Sequence, residues 1–73
     1  MADPITEIGL IAGDIWHLLD GKGGSGTLSE TVSSLGKPAN YTLMGLGWLA
    51  REGQISVKEH CNDLMITRRK RES

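Results

Sequence analysis

Cysteine is nearly missing from this chain: Cys61 is the single one among 73 residues. One thiol cannot close an intramolecular disulfide, so packing alone must hold the fold, and a reducing, cytoplasmic setting is the expectation. Long apolar runs are missing as well. The opening stretch MADPITEIGLIAGDIWHLLD has no basic leader, and charges interrupt its apolar residues, which argues against a secretory signal and a membrane span. Excess positive charge is also absent. The net charge is −1, and residues 1–67 hold four Lys/Arg against eight Asp/Glu. The basic residues gather in the last six, RRKRES, which can attract phosphate nonspecifically or serve as a solvated terminus.

The spacings of enzyme chemistry are lacking too. His17 and His60 are far apart in the chain, and Cys61 stands in no partner motif. A metal set drawn from His17, His60, Cys61 and Asp63 shows none of the familiar ligand spacings. The segment GKGGSG, Gly21 to Gly26, is a flexible connector; it lacks the Gly-x-x-x-x-Gly-Lys-Ser/Thr order of a phosphate loop. No nucleophile–base arrangement can be argued, Asp14 and Asp20 read as solvated acids, and Asn40-Tyr41-Thr42 is a glycosylation sequon without a secretory route. The expectation is a non-enzymatic protein with no cofactor and no metal.

What is present is a succession of short elements. Thr6 to Asp20 carries helical period, with Ile8, Ile11, Ala12, Ile15, Leu18 and Leu19 on one stripe and Trp16 at its edge. Asp3 or Thr6 can cap it and Gly21 can end it. Gly9 and Gly13 weaken this helix, so the close approach of another helix is expected there. Thr27-Leu28 can add an edge strand. Ser29 then reads as the N-cap of a second helix, closed by Gly36 in the left-handed conformation, with Pro38 barring continuation. A third helix runs from about Asn40 to Glu52, with Gly53 as its stop. Two alternating segments follow, Gln54 to Lys58 and Leu64 to Arg68, around a five-residue loop Glu59 to Asp63.

Helix, turn, helix, hairpin is the order of a winged helix-turn-helix, in which the second helix of the pair lies in a DNA groove. The expected fold is therefore α+β: three helices, a small antiparallel sheet and a C-terminal hairpin wing. Its domain spans residues 1–67, with a disordered basic tail over 68–73. Two segments carry a narrower resemblance: Ile11-Ala12-Gly13 with Trp16, and Gly47-Trp48-Leu49-Ala50-Arg51-Glu52. Over roughly residues 6–67 the chain resembles a family of small stand-alone prokaryotic winged-helix proteins of unassigned function. That resemblance implies a fold, with DNA binding as an inherited expectation.

A DNA-binding regulator would use Lys37, Asn40, Tyr41 and Thr42 at the entry of the third helix. Lys58 of the wing and Arg68, Arg69, Lys70 and Arg71 of the tail would add phosphate contacts to double-stranded DNA. Asn40 can equally be a helix cap and Tyr41 a core aromatic. The third helix itself opposes the DNA reading. Leu43, Leu46 and Ala50 lie opposite Tyr41, Met44 and Trp48, so apolar residues surround it almost completely, whereas a recognition helix offers a polar outer face. The arrangement expected here buries Trp48 against Ile11, Ile15, Leu19, Ile55 and Ile66. It leaves Leu43 and Leu46 outward, where they could pair a homodimer or bind another protein. A winged helix used for protein interaction is the alternative function.

Overall fold

The structure is a computed structural model, which describes residues 3–69. Its elements are α1 (Pro4–Gly21), β1 (Ser25–Thr27), α2 (Leu28–Leu35), α3 (Ala39–Arg51), β2 (Ile55–His60) and β3 (Asp63–Arg68). Three helices thus pack with one antiparallel sheet of order β1-β3-β2, the α+β arrangement expected from the sequence. The central strand β3 pairs Gly26 with Ile66 on one side and Val57 with Ile66 on the other.

Asp3 caps α1 by accepting the Thr6 N–H at 3.3 Å, and Pro4 occupies the first turn, where a missing N–H costs nothing. The predicted stripe holds: Ile11, Ala12, Ile15 and Leu19 are buried. They meet Leu46 and Leu49 of α3, Ile55 of β2 and Ile66 of β3 in one core, with Leu28, Leu35, Tyr41 and Leu64 packed at its margin.

The second helix starts earlier than Ser29. Thr27 is its N-cap, because Thr27-Leu28-Ser29-Glu30 forms a reciprocal capping box. The Thr27 hydroxyl accepts the Glu30 N–H at 3.1 Å, and the Glu30 carboxylate accepts the Thr27 N–H at 2.9 Å. Ser29 has Val32 three residues on and cannot close such a box, so Leu28 belongs to the helix rather than to the strand. Gly36 ends α2 in the left-handed region, as expected.

The wing also departs from expectation. The loop has two residues, Cys61 and Asn62, and pairing continues through His60 and Asp63. Both turn residues have positive φ, at 48° and 63°. That matches the primed turns whose twist suits a hairpin, and Asn tolerates this region better than most residues.

Two carboxylates stiffen the joint between sheet and α2. The Thr27 N–H, then its hydroxyl, then the nearby Lys22 ammonium hold Glu30 below the usual carboxylate range. The Leu64 N–H, 2.8 Å away, and the Ser29 hydroxyl do the same for Asp63. Both groups bind protons more weakly folded than unfolded, so their contribution is complete above the ordinary carboxylate range and lost as pH falls through their lowered values. Urea midpoints should therefore drop across that window. Glu30→Gln keeps a capping-box side chain but cannot titrate, so it should show a smaller acid-dependent drop; an unchanged drop would mean that Glu30 contributes nothing to it.

Candidate interaction surface on the third helix

The placement of α3 decides what the molecule can present. Its inward face is Thr42, Gly45, Leu46 and Leu49, all buried. This corrects the expected orientation of the helix. Trp48 is 50 % exposed and Met44 57 %, whereas Leu46, expected outside as part of a dimer contact, is only 5 % exposed and sits in the core. Leu43, the other residue of that expected contact, is 49 % exposed.

The reason lies in how closely α3 approaches α1. A Cβ placed on Gly45 would lie 3.4 Å from Ile15 Cδ1 and 3.5 Å from both Ala12 N and Ile8 O. Only a helix face built from small residues allows that separation, and Thr42 and Gly45 supply it. An indole in the same seam would hold the helices apart and forfeit dispersion contacts along their length. The close approach anticipated at Gly9 and Gly13 therefore belongs to Gly45: a Cβ on either α1 glycine would meet nothing within 4 Å, and both glycines are exposed.

The residues proposed from sequence as DNA contacts divide accordingly. Thr42 is 0 % exposed and donates its hydroxyl to Pro38 O at 3.1 Å, so it cannot reach a base. It was chosen for its hydroxyl, and the helix's own backbone uses that hydroxyl instead. Tyr41 is half-buried against the core. Asn40 is exposed, with its Oδ1 accepting the Tyr41 N–H at 3.0 Å, while Pro38 takes the cap position. Lys37 is exposed in the α2–α3 turn, and Lys58 is exposed on β2.

Arg68 closes β3 and turns back onto the domain. Its Nε lies 3.2 Å from Asp20 Oδ1, its guanidinium sits 5.5 Å from the Trp16 ring centroid, and its side chain is only 16 % exposed. An arginine stacked and ion-paired in this way has little of its charge to offer a phosphate. Arg69 is exposed, with its N–H bonded to Gln54 O at 2.8 Å. Lys70 and Arg71, with the rest of the expected tail beyond Arg69, lie outside the described residues.

The face of α3 pointing away from the core follows from a rotation of about 100° per residue. Asn40, Met44, Gly47 and Arg51 run along its middle, with Leu43 on one shoulder and Trp48 on the other. This is a compact apolar surface with a polar residue at each end. Its large side chains are neighbours at helical spacing, unlike Ile5 and Val57, which are exposed on other elements. Trp48, expected inward on the helical stripe that it shares with Tyr41 and Met44, instead lies on the outer face, because apolar residues nearly surround α3 and do not by themselves fix its rotation. The usable signal was the spacing Thr42, Gly45, Leu46, Leu49, which pairs small residues with leucines along one face.

Elsewhere, His17 packs edge-on to Trp16, and no group of three or more His, Cys, Asp or Glu could hold a metal ion among the described residues. No described helix is long and apolar enough to cross a membrane.

Three helices, a helix-turn-helix pair and a β-hairpin following it define a winged helix-turn-helix protein. Residues 1–68 match the winged helix-turn-helix domain family DUF2582, and the chain belongs to that family. It is also similar to the uncharacterized protein MJ1608 of Methanocaldococcus jannaschii, 43% identical over 60 residues that cover 78% of this chain and 83% of the archaeal one.

Proposed function

We propose that this domain is a cytoplasmic, non-enzymatic protein-interaction module that presents the outer face of α3 to another protein chain. The observation that carries this reading is the exposure of Leu43, Met44 and Trp48 on the helix a DNA-binding relative would insert into a groove. Base edges and phosphates reward donors, acceptors and positive charge, and only the two ends of this face supply them. An apolar centre is better matched by the desolvated core of a protein interface, where Trp and Met are enriched.

The second reading is a DNA-binding transcription regulator. Lys37 and Asn40, both exposed at the N-terminal end of α3, favour it. The net charge of −1 works against it, since a duplex repels an acidic domain at long range.

A chemical-shift titration with random duplex DNA, at low and at moderate salt, separates the two. On the interaction reading, amides from Asn40 to Arg51 stay unmoved, and any shifts at basic residues disappear with added salt. A photo-crosslinking side chain in place of the exposed Ala50, at the edge of that face, should meanwhile give a protein adduct in cells, lost on adding Met44→Glu. Saturable DNA-induced shifts at Asn40, Met44 and Trp48 would sink this reading in favour of the regulator.

A further inference from the structure

Gly47 lies in the middle of α3, on its outer face, and a Cβ placed there would meet nothing within 4 Å. Glycine inside a helix is destabilising relative to alanine, and Gly45 shows what offsets that cost in this same helix: the close passage of α1. Nothing among the described residues offers Gly47 such a contact. The residues around it are arranged as complementary pairs about the point midway between Gly45 and Leu46, a projecting side chain against a bare backbone, apolar with apolar, and polar with polar. Reflected through that point along the helix, Met44 corresponds to Gly47, Leu43 to Trp48, and Asn40 to Arg51.

Resting on the protein-docking reading above, we infer that the partner is a second copy of this chain, with the two α3 helices packed antiparallel about a twofold axis through that point. The twofold places each Met44 over the bare backbone at the partner's Gly47, a projecting side chain against a depression. Leu43 of one protomer and Trp48 of its partner stand at the same height and flank that contact on either side. At both ends Arg51 donates to the Asn40 side-chain carbonyl, which keeps a free lone pair after accepting the Tyr41 N–H. A self-complementary patch is what an isologous dimer requires, and antiparallel helices also set their dipoles in opposition. Three half-exposed side chains per protomer make an interface well below the roughly 800 Å² per partner of a stable complex, so the dimer is weak and concentration-dependent.

Sedimentation of the whole chain from micromolar to millimolar concentration should show monomer passing to dimer, with little response to salt. Met44→Glu and, separately, Gly47→Glu should remain monomeric throughout while keeping the wild-type circular dichroism and dispersed amide spectrum. Register is tested in a Cys61→Ser background. Asn40→Cys chains mixed with Arg51→Cys chains should form a mixed disulfide, whereas neither alone should crosslink, because like positions lie about 16 Å apart along the helix. Homodisulfides of either variant would overturn the antiparallel arrangement. A wild type that stays monomeric at millimolar concentration would overturn the second-copy inference. If crosslinks from position 50 still report a protein in cells, the docking reading survives that result; DNA-induced shifts across α3 would remove both.

Discussion

Leu46→Glu should unfold the domain. The side chain is 5 % exposed and stands among Ile11, Ile15, Leu19 and Leu49. A carboxylate there would stand among aliphatic side chains, and it must either remain ionised in an apolar surround or take up a proton; each costs several kcal/mol on top of the lost packing. A domain of this length has a total stability on the order of 4–11 kcal/mol, so one such change consumes most or all of it. Far-UV circular dichroism and amide dispersion would show the loss at neutral pH. The comparison with Met44→Glu, two residues away on the exposed face, makes the result decisive. The outer variant should keep its fold and the inner one should not. A folded Leu46→Glu monomer would mean that α3 is rotated from the orientation described here.

Gly45→Leu should be the next most damaging change. An added Cβ alone meets Ile15, Ala12 and Ile8 at 3.4–3.5 Å, close to ordinary van der Waals separation. Gly45→Ala is therefore expected to be near neutral, with slight crowding offset by better helix propensity. Leucine adds three further carbons where two of the nearest atoms are α1 backbone, which cannot rotate away. Overpacking of this kind costs typically 1–3 kcal/mol and more where backbone must shift. Thermal melts of the two variants should diverge widely. Equal melting temperatures would show that the α1–α3 seam is looser than its geometry states.

The parts of this fold that sequence revealed are those where a single period dominates. Along α1, Asp14, His17 and Asp20 alternate with the isoleucine and leucine stripe, so one orientation stands out. The strands are similar: Ile55 and Ile66 mark the inner face, and Gly36 punctuates the turn between α2 and α3. The rotation of α3 was not legible in the same way, because apolar residues occur all round it and hydrophobicity is nearly balanced between opposite sides. What decided the matter was steric, the closeness to α1 that Thr42 and Gly45 permit. The candidate DNA contacts suffered from the same ambiguity. Residue type suggested Thr42 as a reader, but its azimuth on the helix buries it. The wing turn escaped for a different reason: neither Cys61 nor Asn62 is a glycine, so nothing in the segment announced two consecutive left-handed residues.

The strand order has a consequence for how the chain acquires its shape. The strand that joins the sheet is β3, the last of the six elements, and β1 must wait for it across about 40 residues. During synthesis the three helices can emerge and collapse on one another, but β1 has no hydrogen-bonding partner until Asp63 to Arg68 leave the ribosome. The helical layer would exist for a time with part of the buried stripe of α1 open on the side where β3 and its Ile66 later pack. Closing so long a loop is slow relative to forming local helices. Nascent chains halted before residue 63 should accordingly be protease-sensitive and chaperone-bound, whereas those extended past Arg68 and clear of the exit tunnel should become resistant in one step.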